Sequence, residues 1–541
     1  MTASLLESKD NDEPQGATGG FWPRLDKWLL SGSEWLNPIL VKEARQSLKS
    51  RQFVLTFGLL LLTTWAWTAM AVTMMQSNGV GAGAAQEVFG GYFLVLEVPL
   101  LVIVPFAAFR SLAGEREDGT YELVSITTLA ARQIVLGKLA SGMLQIMVYF
   151  SVMAPCIAFT YMLRGMDLIS IGMTLYFTLL FSITLTCTGL LMASSVRSIH
   201  WQVLTSLVML GITTLTAIGW ASFVFEEIVR NGIPVDQPQF WEMTGFLTCM
   251  AITLNALQLA GGVADLSFPS DNRSTKIRLT LLANQVAFTG WMMYLWVRYH
   301  DRHLPIMMSL LATGFWMFAG TMLTAEHPVL SPRVRRSLPR SFLGRMAFTW
   351  FNPGSGSGYV FAVTNALGVF GCVLACWWME HGRRIRPHEV HAAGLAVSYV
   401  AIYLGIGRMA LQFLRRYAQF GVVVGLMIHA LIAVLGILLP VLARTVLFWN
   451  ERFEYSYLQL PNWGMTLIMA LDRPSEVFHE PFYAITIHGT AAVIFLVTLI
   501  SGAKEVRQLR QATPERVLAD ERLQSGQTDE KPQKPKNPFD D

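Results

Sequence analysis

Apolar residues in this chain fall into long runs rather than alternating with polar ones. Runs of about 18–27 residues occur at 53–75, 91–109, 139–160, 169–193, 202–225 and 243–263. A second set follows at 279–297, 305–324, 359–378, 393–410, 419–445 and 482–502. Coiled into helices at about 1.5 Å per residue, each run crosses roughly 30 Å of hydrocarbon. The pattern predicts an all-α polytopic membrane protein of about 12 transmembrane helices, arranged as 6+6. Pro99, Pro105, Pro155 and Pro440 fall inside runs and mark places where a helix is expected to break or re-enter.

The segments between and around the runs divide the chain further. Residues 1–34 are polar, with no early apolar core, so no cleavable signal is expected. Residues 35–263 form a first membrane domain, 264–503 a second six-helix bundle, and 504–541 a charged tail with a helical stretch at Ala512–Leu523. The acidic stretch 448–480 is expected as a solvated loop. Basic residues set orientation in a membrane protein. Lys42, Arg45, Lys49 and Arg51 before the first run, and Arg110, Arg116, Arg132 and Lys138 around the second and third, place both termini in the cytoplasm. Arg298, Arg302 and the trio Arg383, Arg384 and Arg386 fall on the opposite side and do not follow this rule.

Composition agrees with the pattern. Of 541 residues 53% are hydrophobic and 14% charged, against about 25% charged in a soluble domain. This excludes a soluble enzyme and a disordered scaffold. A net charge of +4 is too small for a nucleic-acid binder. The five cysteines lie in apolar runs without metal-ligand spacing and read as small buried hydrophobes.

Two segments carry candidate chemistry. Trp35–Arg51 reads as an amphipathic helix lying in the membrane interface, with Pro38 in its first turn. Leu36, Ile39, Leu40, Ala44 and Leu48 form one side, and Lys42, Glu43, Arg45, Gln46 and Lys49 the other. Arg110–Lys138 joins the second and third runs. Its charged corner Glu115-Arg116-Glu117-Asp118 is followed by the breaker Gly119-Thr120 and a short apolar stretch, Leu123, Val124 and Ile126. Thr127-Thr128 then offers a cap for the next helix. A helix, a corner, a short transverse helix and another helix make a lever projecting from the bilayer.

The residues Glu115-Arg116-Glu117, Gly119-Thr120, Glu122-Leu123, Thr127 and Gly137-Lys138 resemble the hallmark of type-2 ATP-binding-cassette (ABC) exporter permeases. Asn37-Pro38 with Lys42-Glu43 is similar to that family's interfacial helix. Thr128 departs from the proline common there. The resemblance covers about 30 residues closely, fits the topology of 35–263, and does not extend to 264–541. It implies an interfacial helix, six spans, a coupling helix between the second and third, and a separate ABC ATPase subunit, acting as a dimer. Glu115, Arg116 and Glu117 would then pair with charges on the ATPase or with the interfacial helix. ATP and magnesium would sit on the partner, since this chain has no phosphate loop: Gly137-Lys138 lacks the upstream glycine. No cofactor, metal cluster or catalytic residue is expected in this chain, and no nucleic-acid partner. Either the second half is a diverged permease half, or it is an accessory bundle and two copies of the chain pair.

Glu97 is the acidic residue well inside the second run, about 9 Å from its outer end at 1.5 Å per residue. An intramembrane carboxylate defaults to a functional reading as a pathway or proton-sensing group. His429 and the pairs Asn255/Gln258 and Asn284/Gln285 read more simply as hydrogen-bond partners between helices. A proton-linked secondary transporter using Glu97 and His429 is the alternative function. A membrane-embedded lipid or glycosyl transferase is a weaker one, with 448–480 as its acidic cluster. The expected setting is a plasma membrane, most simply a bacterial inner membrane.

Overall fold

The computed structural model describes residues 38–78, 84–117, 129–163, 166–196, 199–268, 270–326, 349–380, 385–418, 421–447, 455–478 and 481–508, with isolated positions at 331, 334, 341, 514, 516–517 and 519–520. The described residues are helical and turn-forming, with no strand among them. Eleven helices are long and apolar enough to cross a membrane, so the protein is an all-α, multi-pass membrane protein. The twelfth expected run lies in a helix of similar length, Ser274–Tyr299. That helix carries Asn284 and Gln285 near its middle, with Lys276, Arg278 and Arg298 towards its ends, and is too polar to count with the others.

The chain divides into two compact units, 1–243 with 261–266, and 244–260 with 267–541. In the first, α1 (Pro38–Leu48) leads into α2 (Arg51–Asn78), whose start is capped by the Ser50 hydroxyl accepting from Phe53 N–H at 3.1 Å. Helix α3 (Ala84–Glu97), a π-helical turn (Val98–Ile103) and α4 (Val104–Glu117) continue as one rod. Then come α5 (Ala131–Met162), α6 (Leu168–Ser195) and α7 (Ile199–Phe223), the last running into a second π-helical turn, Val224–Val229. Helix α8 (Pro238–Leu266) contributes residues to both units.

Proline explains the first π-turn. In an α-helix the carbonyl of Leu100 would accept from Val104 N–H, but that group bonds instead to the Pro99 carbonyl, five residues back. In a continued π pattern the donor would be residue 105, which is proline and has none. The Leu100 carbonyl is therefore orphaned inside the membrane unless another helix serves it, and Ser182 Oγ of α6 donates to it at 2.6 Å. Gly189, one helical stretch further along α6, allows the close approach: a Cβ there would stand 2.9 Å from the Pro105 carbonyl oxygen. Ser182→Ala should lower stability by about 1–3 kcal/mol, read as a drop in melting temperature in detergent. Adding Pro105→Ala should recover part of it by restoring a donor. Pro155 and Pro440, by contrast, sit within continuous helices.

Asp167 starts α6 as a true N-cap, its Oδ2 accepting from Ser170 N–H at 2.8 Å. Burial alone would raise its pKa, but the hydrogen bonds from Ser170 and neighbouring amides outweigh burial and hold it below the usual value of 3.8. Because the folded value is the lower one, the stabilisation is complete above pH 3.8 and fades as pH falls through the depressed value. Asp167→Ala should thus cost about 0.5–2 kcal/mol near neutrality and progressively less in acid, as a pH series of melting curves would register.

The second unit comprises α9 (Ser274–Tyr299), α10 (His303–Thr324), α11 (Ser355–Met379), α12 (Pro387–Leu414), α13 (Val422–Leu447), the short α14 (Trp463–Asp472) and α15 (Pro474–Phe478), and α16 (Pro481–Gln508). Helix α12 is its axis: Ala392, Ala393, Ala396, Ala401 and Leu404 are buried, the small residues letting neighbours approach closely. Helix α13 is more apolar, yet Val423, Met427, Leu431 and Leu439 are exposed. In a bilayer such a face meets lipid, so apolarity alone does not say which helix is central.

The stretch 448–480 departs from the solvated loop expected. Residues 455–478 fold into a 3₁₀ turn, α14 and α15, with Gln459, Asn462, Thr466 and Ala470 buried. Tyr399 of α12 fixes them by donating to the Leu460 carbonyl at 2.7 Å, and Tyr403 donates to that of Pro461.

The helix order repeats between the units. In the first, the rod α3–α4 packs on α2, α5, α6 and α7, the first, third, fourth and fifth long helices. In the second, α10 packs on α9, α11, α12 and α13, which hold the same ordinal places. First with third, third with fourth and fourth with fifth also recur, whereas the packing of the sixth long helix, α16, on α11 and α12 has no match of that extent in the first unit.

Candidate functional site: a buried lysine at a charged corner

The site is built where α1, α4 and α5 meet. On α1 the residues Ile39, Glu43 and Ser47 are spaced four apart and form one row. Ile39 and Glu43 are buried, and Ser47 is half-buried, with its hydroxyl 3.3 Å from that of Ser141 on α5. Glu43 thus leaves the polar side assigned to it from the sequence and faces the protein, because a cation waits there. Lys42, Arg45 and Lys49 remain exposed.

That cation is Lys138, in the second turn of α5 and 3% exposed. Its ammonium lies 3.1 Å from Glu43 Oε1 and 3.1 Å from Glu115 Oε1 at the end of α4. It also donates to Ser111 Oγ at 2.7 Å, and Ser111 Oγ donates in turn to Glu43 Oε2 at 3.2 Å. Two carboxylates and a hydroxyl thus satisfy the three donors of one buried lysine. Lys42 adds an outer contact to Glu115 at 3.6 Å, solvent-screened and weak.

The two residues after Glu115 reach different helices. Arg116 Nη1 donates to the carbonyl of Val196, which follows α6, at 3.0 Å. Glu117 Oε2 accepts from Gln202 of α7 at 3.3 Å. The three consecutive charges therefore tie the end of one rod to α1 and α5, to α6, and to α7. These contacts hold five helices, α1, α4, α5, α6 and α7, in register. A cleft of about 280 Å³ beside it is lined by Phe106, Arg110, Glu117, Gln202, Ser206 and Leu207, among others. On its outer side α1 borders an open hollow of about 660 Å³ lined by Val41, Lys42, Arg45, Gln46 and Lys49.

Of the expected site residues, Glu115, Lys138, Lys42 and Glu43 come together, and Arg116 and Glu117 brace the same corner. Gly137, beside Lys138, is in the first turns of α5. Gly119, Thr120, Glu122, Leu123 and Thr127 lie outside the described residues. Ser111 was not singled out from the sequence; its place one turn before Glu115 on the same helix was the available signal.

The remaining candidates are elsewhere. Glu97 is 2% exposed, at the start of the π-turn. Helix α3 begins at Ala84, earlier than expected, so Glu97 is roughly 20 Å along the rod at 1.5 Å per residue, deeper than the sequence placed it. His429, in the second unit, is buried with both ring nitrogens engaged, Nδ1 with the Gly425 carbonyl at 2.8 Å and Nε2 with Thr324 Oγ1 at 3.1 Å. A carbonyl only accepts, so Nδ1 carries the hydrogen of the first bond; Thr324 Oγ1 itself also donates to the Gly320 carbonyl at 2.8 Å. Asn284 donates to Thr253 and Gln285 to the Asn365 carbonyl, each at 3.1 Å, as expected of polar groups between helices.

The second unit holds a charged knot that the sequence reading missed. Arg278 is 0% exposed and pairs with Glu326 at 2.7 Å. Glu326 follows α10 as Glu115 closes α4, so each unit clamps a carboxylate at the end of its second long helix.

Compared with known proteins, the chain matches no family model, no curated protein and no solved structure.

Proposed function

We propose that this chain is the membrane-spanning permease subunit of an ABC exporter, moving its substrate outward with energy from ATP hydrolysed on a separate ATPase. The observation that carries the reading is the Glu43–Lys138–Glu115 clamp. It couples an interfacial helix to the ends of two spanning helices at the corner where the E-R-E-x-G-T motif falls, and it leaves Lys42, Arg45 and Lys49 outward. A push on that corner is delivered to α4, α5, α6 and α7 together, as a rigid-body transmission requires. Glu115 is held by Lys138 and Lys42, while Arg116 and Glu117 reach α6 and α7 rather than α1, and we assign the exposed basic row to the partner. In this reading the corner and both termini are cytoplasmic and the membrane is a bacterial inner membrane. The recurring helix order supports a diverged permease half as the second unit.

The test is co-purification. The tagged chain, expressed with its neighbouring genes, should retain an ATPase containing a phosphate loop. The triple charge reversal Lys42→Glu, Arg45→Glu, Lys49→Glu should reduce its recovery about tenfold, since each lost ion pair at an interface rim contributes a fraction of this. Absence of any such ATPase, or undiminished recovery with the triple variant, would sink the proposal. Glu97 is the observation that favours the alternative, proton-linked secondary transport.

A further inference from the structure

A row of hydroxyls runs along the buried face of α6: Ser170, Thr174, Thr178, Ser182 and Thr186, four residues apart and each at most 1% exposed. Their hydrogens are largely committed. Thr174, Thr178 and Thr186 donate to the carbonyls of Ser170, Thr174 and Ser182 at 2.7–2.8 Å, and Ser182 donates to Leu100. What the row presents is oxygen lone pairs, and Trp220 Nε1 of α7 uses one, donating to Thr178 at 2.9 Å.

Glu97 stands at the same level. Leu100 meets Ser182, and Arg116 meets Val196, so the rod and α6 run in the same direction. One turn back from Leu100 is Glu97; one turn back from Ser182 is Thr178, with Trp220 across it. Glu97 itself is 2% exposed. Its Oε1 is buried and meets no hydrogen-bond partner among the described residues.

Among the described residues no positive charge is at hand. Within the membrane, the elements packed around this level carry Tyr92 on α3, Tyr149 and Cys156 on α5, Tyr176 and Cys187 on α6, and Glu226 and Glu227 on the π-turn after α7; farther off are exposed Glu87 in the first turn of α3 and Arg51, which opens α2. Among the described residues, the buried cation of this unit is Lys138, held by Glu43 and Glu115. A lone carboxylate taken out of water costs far more than a neutral acid, so the natural counter-charge is the smallest one.

We infer that Glu97 is a proton-binding site in the core of the first unit, loaded in the closed packing seen here and released to water when the rod parts from α6 and α7. Loading forms one carboxyl O–H bond and breaks one in hydronium; release returns the proton to water. The π-turn beside Glu97 is the point of the rod where its hydrogen-bond ladder is already shifted, and the hydroxyl lone pairs receive the water that enters. This holds whether or not an ATPase drives the chain.

Dicyclohexylcarbodiimide adds to protonated carboxyls in apolar surroundings and leaves a stable acylurea. The purified full chain in lipid nanodiscs, treated with it and mapped by peptide mass spectrometry, should be modified at Glu97 and not at exposed Glu87. The yield should be about fivefold or more higher at pH 6 than at pH 9. Glu97→Gln should abolish the modification and Glu97→Asp preserve it; the wild-type pH series needs no variant to fold. No adduct at Glu97 at any pH, or a yield independent of pH, would overturn the inference.

Discussion

Replacing Lys138 with methionine is expected to destabilise the first unit by about 3–5 kcal/mol, the largest effect of any single change at the charged corner. The methylene stem is nearly matched in volume, so the loss is electrostatic. Glu43, 8% exposed, and Glu115 would face one another with their shared cation gone, and Ser111 would lose its acceptor role toward the ammonium. Lys42→Met is the control: its contact with Glu115 is longer and its side chain 59% exposed, so a change of about 0–1 kcal/mol is expected. Combining Lys138→Met with Glu43→Gln and Glu115→Gln should restore part of the loss, because a neutral buried cluster avoids the uncompensated charge. Detergent-solubilised melting curves of the four proteins measure this. A Lys138→Met variant as stable as the parent would mean that the clamp contributes nothing.

The same geometry changes how the motif itself must be probed. Reversing Glu115 removes one of the two anions on a buried lysine and damages the fold as well as any coupling. Glu117, whose described contact is a 3.3 Å acceptance from Gln202, and the exposed row of α1 are the cleaner sites for separating docking from stability.

Arg278→Leu should cost the second unit a similar amount, about 3–5 kcal/mol. Arg278 donates through Nε to Ser274 at 2.9 Å. Nη1 donates to the Trp350 carbonyl and Ser357 at 3.1 and 3.0 Å, and Nη2 to Glu326 and the Gly354 carbonyl at 2.7 and 3.2 Å. Glu326 in turn accepts from the Gly354 N–H at 2.9 Å. Gly354 has φ of +148°, a backbone region open to glycine and strained for other residues, so the knot also fixes how the chain enters α11. Arg278→Lys keeps the charge but cannot reproduce the planar fork; it should recover less than half the loss. Equal stability of the lysine variant and the parent would show that charge alone matters there.

How much of this was readable follows from the range of each interaction. The spanning helices were legible because their backbone bonds close within four residues and hydrocarbon forbids leaving any open. The prolines at 99 and 105 announced a break, but whether it became a kink, a re-entrant loop or a π-turn depended on a donor 82 positions away, Ser182. Segment 448–480 read as solvated because its charges are visible in sequence, while the Tyr399 and Tyr403 hydroxyls that hold part of it down belong to another helix.

By itself, then, the sequence determined the all-α membrane-spanning class, the approximate runs and the corner where charge is concentrated, since these follow from local hydrogen bonding and from the cost of charge in lipid. Only the tertiary structure decided the partners. Glu43 and Lys138 are 95 residues apart, and Glu43 turns inward because a buried ammonium there needs a second carboxylate. Pairing across that distance is a property of packing, which a helical wheel drawn for one segment does not contain.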